Sequence, residues 1–348
     1  MGRILLLAVA AMVLAGAALA GGARAEPVLA RDGRRIMGTY VEVQAFAADA
    51  ARAQDVVEQA LEEVARVDRL LSNYDPSTEL SRMNRDAADA PIRVSDELFA
   101  FLRECRGFYG GTHGTFDPTV GPLVRAWGFL TPAPAVPDAA TIASARARTG
   151  FDKVHLDDRR RTVHYAVAGL EIDPGGIGKG IGVDRAVARL RALGIAAALV
   201  SAGGSTIAAL GHPPDRAVWR VAVANPRDAA HPVAYAALVD ASVSTSGQSE
   251  KFVRVGQQQY GHIFDPRTGT PKEGMCLASV VAPTATASDA LTKAAFLLER
   301  AELVQVLRAQ RGTSALRVEG ACDEGQAPWV SPGVSPFVVG RADAGPRE

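Results

Sequence analysis

Between residues 41 and 71 the chain changes from a hydrophobic period of two to one near 3.6. "VEVQAF" (Val41 to Phe46) alternates apolar and polar positions and predicts a strand. From Asp49 to Leu71, Val56, Val57, Ala60, Leu61, Val64 and Val67 recur on one face and predict a long amphipathic helix. A second helix is predicted after Ser95, a good N-cap ahead of "DELFAFLRECRGFYGG", with Gly110–Gly111 ending it. "TPAPAVPDAATI" (Thr131 to Ile142), rich in Pro and Ala, reads as an exposed connector into another helix. "KVHLDDRRRTVHY" (Lys153 to Tyr165) holds two alternating runs around an Asp/Arg turn, a hairpin signal. Its His155 and His164 fall on alternating strand positions and read as sheet-face residues rather than ligands. "GVDRAVARLRALGI" predicts a helix with Gly194 as its C-terminal cap, and "AAALVSAGG" a strand beside it. Further strands are predicted in "WRVAVA", "YAALVD" and "LASVVA", before a helix headed by Asp289 and another over Ala301 to Arg311. No repeat of fixed period is visible. The alternation predicts an α/β to α+β fold with substantial antiparallel sheet.

The first 25 residues stand apart. Arg3 precedes an uncharged apolar run from Ile4 to Ala20, and Ala23–Arg24–Ala25 offers the small-x-small pattern of a cleavage site. The uncharged stretch from Ile4 through Ala23 is also long enough to span a bilayer, but Gly16, Gly21 and Gly22 dilute it. The expectation is a cleaved signal peptide over 1–25, a mature domain over 26–348, and export, most simply to a periplasm. With the leader go two of the 38 basic residues, leaving 36 against 38 acidic ones. That balance gives no electrostatic case for a nucleic-acid partner or an anionic membrane surface. Of the three cysteines, Cys276 and Cys322 are the expected pair, because Cys105 falls inside a helical pattern. No CxxC or Cys/His cluster suggests structural zinc.

Four stretches carry more chemistry than packing asks for. "GTHGTFDPTVGPLVRAWGF" (Gly111 to Phe129) is a rigid loop turning into a short helix, and alone reads equally as a turn with core aromatics. "EIDPGGIGKGIGVDRAV" (Glu171 to Val187) places glycines at 175, 176, 178 and 180 before a helix N-terminus. There backbone can approach a ligand and free N–H groups suit phosphate, although a plain tight turn would look similar. Its spacing fits neither a dinucleotide fingerprint nor a phosphate-binding P-loop. "STSGQSEKF" offers Ser244, Ser246 and Ser249 but no nucleophile elbow, and "YGHIFDPRTGTP" sets His262 near Asp265 and Arg267. "ASDALTKAAF" puts Asp289 in what reads as a helix's first turn, with Lys293 four residues on. By itself that spacing is an ordinary surface ion pair.

In order along the chain, "IMGTYVEV", "LSNYDPSTELSRMN", "TFDPTVGPLVRAWGF", "IDPGGIGKGIGVDRA", "SAGG", "TSG", "HIFDPRTGTP" and "SDAL" resemble the FAD:protein FMN transferase family, often called ApbE, over nearly the whole mature length. The resemblance implies a mixed, largely antiparallel sheet with flanking helices, in one lobe or two. It implies an exported transferase that binds FAD with a divalent metal, normally Mg²⁺, and splits the diphosphate. The FMN half passes to a Thr or Ser hydroxyl of an acceptor redox protein, and AMP is released. Some similar proteins hydrolyse FAD to FMN and AMP, and others mainly hold FAD. Carried over by motif, Met37, Tyr74, Thr115, Phe116, Asp117, Asp173, Lys179 and Ile263 are expected to contact the flavin nucleotide. The carbonyl of Gly176 and the carboxylate of Asp289 are expected to bind the metal through oxygen, as Mg²⁺ requires. His262 is expected to take the acceptor's proton, a task an imidazole with its ordinary pKa of about 6.5 can perform at neutral pH.

Two positions depart from the family pattern. Ser205 stands where an acid usually follows "AGG", a change to which little functional weight attaches. Lys293 stands where a Thr usually supplies another oxygen to the metal, and Thr292 comes one place early. One helical step turns a side chain by about 100°, so Thr292 cannot simply substitute. An ammonium cannot ligate Mg²⁺ but can neutralise phosphate. Two expectations therefore stand open: Lys293 as a built-in cation that weakens or replaces the metal, or Lys293 turned outward with water completing a metal site on Asp289.

Overall fold

Met37 and Gly38 both take positive φ, +54° and +69°, which is what a two-residue hairpin turn needs to follow the twist of its strands. The turn joins β1 (Val28–Ile36) to β2 (Thr39–Ala47). In this computed structural model, which describes residues 26–129, 136–228, 230–248, 252–255, 258–320, 322 and 326–339, six strands extend that hairpin. They are β3 (Ala197–Ala202), β4 (Thr206–Leu210), β5 (Ser242–Gly247), β6 (Met275–Ala282), β7 (Ser314–Glu319) and β8 (Trp329–Val330). The eight lie side by side in chain order, each antiparallel to its neighbours. The largely antiparallel sheet with flanking helices is as expected. The leader, Ser249 and the first part of the Pro/Ala connector lie outside the described residues.

Six helices enter between β2 and β3: α1 (Ala50–Leu71), α2 (Glu79–Asp86), α3 (Asp96–Gly111), α4 (Gly121–Ala126), α5 (Ala139–Ala147) and α6 (Gly178–Ala192). Two more, α7 (Ala285–Leu297) and α8 (Arg300–Ala309), lie between β6 and β7. Asp49 caps α1 by accepting from the Arg52 N–H at 2.8 Å, and Ser95 caps α3 by accepting from Leu98 at 3.2 Å. The α1 stripe of Val56, Val57, Ala60, Leu61 and Val64 is fully buried against Val41 and Val43 of β2 and Val183 and Leu190 of α6. Each buried Val or Leu among them contributes roughly 1.5–3 kcal/mol on leaving water. The opposite face of the sheet is covered by a small sheet of Trp219–Val223, Ala234–Leu238 and Phe337–Val338. Covered on both faces, β6 is buried at every position.

The strands Val154–Asp157 and Thr162–Tyr165 form the expected hairpin. His155 faces His164 across it with stacked rings 6.1 Å apart, as sheet-face residues. That hairpin, α2 and α3 share a core that reaches α7 through Ala290. Cys276 on β6 is joined to Cys322, and Cys105 is a buried free thiol on α3, both as expected. No helix among the described residues is long and apolar enough to cross a membrane.

The start of α7 differs from the sequence expectation. Thr284 caps it, and Asp184 of α6 accepts from the N–H groups of Ala285 (2.7 Å) and Thr286 (2.8 Å). These partners draw the helix back four residues, so Asp289 lies one turn inside it and not in its first turn. Every α7 residue except Ala287 and Lys293 is buried.

Candidate active site

A cleft of about 230 Å³ opens beside α7, bounded by the Pro174–Gly176 turn, the loop ahead of α4, the end of β5 and the segment after Gly261. Thr115, Phe116 and Asp117 line it from the loop. Thr115 Oγ1 donates to the Thr112 carbonyl at 2.8 Å, and the Phe116 N–H donates to Thr112 Oγ1 at 3.0 Å, so the loop is pinned to the end of α3. Asp117 is almost fully buried. Burial pushes its pKa up to about 6, against the pull of the Thr119 hydroxyl and N–H, which donate to it at 2.6 and 2.8 Å.

Across the cleft Asp173 accepts from the Gly175 N–H at 2.7 Å and folds the Gly175–Gly176 backbone into a tight turn. Lys179 follows in the first turn of α6, and its Nζ donates to Ser205 Oγ at 2.7 Å. Among the described residues no carboxylate lies within ion-pair distance of Lys179. His262 and buried Ile263 face in from the segment before Phe264, Asp289 and Lys293 from α7, and Tyr74, 76 % exposed, from the rim. Such a volume is below the ~300–1,000 Å³ of sites that enclose a drug-sized ligand.

Of the residues expected at the site, Met37 is the one the cleft does not include. Its left-handed turn is tied down by the Asp68 carboxylate, which accepts from its N–H at 3.1 Å, and its sulfur packs toward Gly182 beneath α6. The glycine run also needs correcting. A Cβ on Gly180 would stand 2.4 Å from the Ala285 carbonyl, so this glycine admits neighbouring chain, not ligand. Gly175 and Gly176 do face the cleft. Ser244 and Ser246 bind α7 to the sheet, through Ser288 and Thr292 at 2.8 Å each. Arg267 is held by Asp265 in a two-pronged pair at 2.9 and 2.8 Å.

Sequence reasoning gave no role to Asp184, Thr245, Phe129 and Phe264, weighed Ser246 only as a nucleophile, and gave Ser205 little weight although it is the partner of Lys179. Asp184 lay within a recognised block, but its partners are 101 and 102 residues away, and no local pattern marks it. A second cleft of about 440 Å³, lined by Tyr109, Arg146 and Lys153, shares Asp117 and Pro266 with the first and holds none of the other expected residues.

Of the oxygens expected to bind a metal, the Asp289 carboxylate is engaged by an ammonium. Lys293 Nζ lies 2.9 Å from Asp289 Oδ1, 3.0 Å from the Asp289 carbonyl and 3.2 Å from Thr292 Oγ1, matching its three N–H donors with three acceptors. Asp289 Oδ2 accepts from the Gly180 N–H at 3.1 Å. Lys293 therefore does not turn outward. Its side chain is 18 % exposed, that of Asp289 4 %. A Cβ on Gly176 would come 3.2 Å from Lys293 Cε, so the glycine leaves room for the lysine stem. Mg²⁺ needs oxygen ligands at about 2.0–2.1 Å, and a fixed positive charge on its one carboxylate opposes it. Among the described residues no three His, Cys, Asp or Glu side chains gather to offset that charge. The arrangement does not fit a divalent ion.

Two ammonium groups, Lys179 on a hydroxyl and Lys293 paired with Asp289, stand with an imidazole and close-approach backbone on a rigid frame, the parts a site for group transfer at phosphorus uses. The particular family follows from comparison with known proteins. The chain belongs to the ApbE family, whose model matches residues 37–317. It is 31% identical over 314 residues to the FAD:protein FMN transferase of Klebsiella pneumoniae, covering 88% of each chain. Against the FAD:protein FMN transferase of Treponema pallidum it is 31% identical over 297 residues, covering 81% of this chain and 82% of the relative. Among solved structures, the ApbE protein of Thermotoga maritima superposes with a TM-score of 0.79 at 28% identity, over 87% of this chain and 97% of that one. The flavinyl transferase ApbE of Pseudomonas stutzeri gives 0.75 at 26% identity, over 88% and 94%.

Proposed function

We propose that this protein is an FAD:protein FMN transferase. The observation that carries the reading is the convergence of Thr115, Phe116, Asp117, Asp173, Lys179, His262 and Asp289, from four separate stretches of chain, on one cleft. Membership of the family and relatives of that name support it. In the reaction, the hydroxyl oxygen of an acceptor Ser or Thr attacks the phosphorus on the FMN side of the diphosphate. His262 takes the hydroxyl proton, the bridging P–O bond breaks, and AMP leaves with the bonding electron pair. Negative charge gathers on the phosphoryl oxygens as this happens, and fixed cations stabilise it without reorganisation. Lys179, with no carboxylate partner among the described residues, supplies one such charge. The acceptor is read as a redox protein. Export to a periplasm belongs to the same proposal, and the Cys276–Cys322 bond supports an oxidising compartment.

The test is incubation with FAD and a Ser/Thr acceptor protein, with and without Mg²⁺, followed by a denaturing gel. Flavin fluorescence on the acceptor band is the expected result. Free FMN and AMP without labelling would make the protein a hydrolase, and FAD recovered intact would make it a carrier. His262→Ala should lower transfer by about 10²–10⁴-fold while FAD binding is largely retained. Undiminished labelling excludes His262 as the base.

A further inference from the structure

The geometry points to Lys293 as the resident cation of the flavin site: its ammonium takes the position of a divalent metal, and the protein binds the FAD diphosphate without one. The inference rests on the flavin reading above and concerns what neutralises the phosphates. Three observations carry it. Lys293 is the cation that α7 brings to the cleft, and with Ala287 it is one of the two α7 residues that are not buried. Its amine is fixed by Asp289 Oδ1, the Asp289 carbonyl and Thr292 Oγ1. Gly176 spares it the crowding a side chain would bring.

The amine is held as part of the frame. Thr292 Oγ1 donates to the Asp289 carbonyl at 2.6 Å and accepts from Ser246 at 2.8 Å, so β5 and α7 together aim the acceptors around Nζ. Its longest contact, to Thr292 at 3.2 Å, is the one a phosphate oxygen entering the cleft replaces. Lys179 bonds only a neutral hydroxyl among the described residues. Two ammonium groups then line the cleft that receives a diphosphate, one from α6 and one from α7. Each acts as a compact point charge that needs no water shed from a metal.

The experiment titrates FAD onto the full-length protein, by flavin fluorescence and calorimetry, in EDTA and in saturating Mg²⁺. It is paired with Mn²⁺ binding read by electron paramagnetic resonance. The wild type is expected to bind FAD with affinities within about twofold in the two conditions and to hold no stoichiometric Mn²⁺. Lys293→Met, which keeps volume but not charge, is expected to lose about 10- to 100-fold of FAD affinity in EDTA, the worth of one charge-assisted hydrogen bond. It should recover in Mg²⁺ and gain a Mn²⁺ site, because Asp289 is released. Wild-type affinity that collapses in EDTA and returns with Mg²⁺ overturns the inference, as does Lys293→Met binding FAD like the wild type in EDTA. If the variant does not fold, the wild-type comparison decides alone. Absence of FAD binding in both conditions overturns instead the flavin reading beneath it.

Discussion

Replacing Asp117 by Asn removes a carboxyl that folding makes harder to ionise. Its pKa rises from 3.8 to about 6, through burial set against the two Thr119 donors. The folded state therefore holds the proton more tightly than the unfolded chain. Asp117 contributes stability that is fully present below about pH 4 and is lost as pH rises through about 6. Two pKa units at about 1.4 kcal/mol each make the loss roughly 3 kcal/mol, about half of it by pH 5. Asn keeps the oxygen that accepts from the Thr119 N–H and hydroxyl, so the substitution deletes the titration and leaves the turn intact. Urea unfolding of both proteins, followed by tryptophan fluorescence from pH 4 to 7.5, isolates the effect as a difference curve. The balance should move in favour of Asp117→Asn by roughly 3 kcal/mol between the acid and neutral ends. A difference that stays constant with pH, or moves the other way, refutes the assignment of this carboxyl as a desolvated one.

Asp184→Ala strips two N–H groups and a hydroxyl at the head of α7 of their acceptor. Stability should fall by about 2–4 kcal/mol in urea unfolding, and FAD should bind more weakly because Asp289 and Lys293 ride on the loosened helix. Lys179→Met should raise the dissociation constant for FAD by about 10- to 100-fold with little change in melting temperature, since only the Ser205 contact is lost. Normal affinity would show that Lys179 does not face phosphate. Replacing Cys276 and Cys322 together by Ser releases a cross-link spanning 46 residues and should cost about 2–4 kcal/mol in denaturant unfolding.

Where local signals were complete, the sequence predicted the elements closely. Ser95 announces α3 because the cap satisfies an N–H group of its own helix, and α1 was legible from its apolar stripe. The head of α7 was misread because Ala285, Thr286 and Ala287 carry no periodicity and its N–H groups are met from α6, a tertiary contact. Strand β5 went unrecognised for a related reason. "SVSTSG" looks like polar loop or nucleophile-bearing chain, yet Ser242, Ser244 and Ser246 find hydroxyl partners on α7 that make a central strand of it. In the site, motif order brought the residues to one cleft, with Met37 as the exception, since a motif records that a residue is needed and not whether it faces ligand or turns a hairpin. The partnership of Lys293 with Asp289 was legible from their spacing. Its direction, into the cleft, depended on burial of the rest of α7.

Cys105 has a practical consequence. Burial raises its thiol pKa well above the ordinary range, so almost no thiolate exists to react while α3 is packed. The other two cysteines are tied to each other. The native protein should therefore be silent to thiol reagents, and each molecule that opens should register a single count. One sulfur, placed by helix packing alone, gives the chain a built-in gauge of how often the core around α3 comes apart.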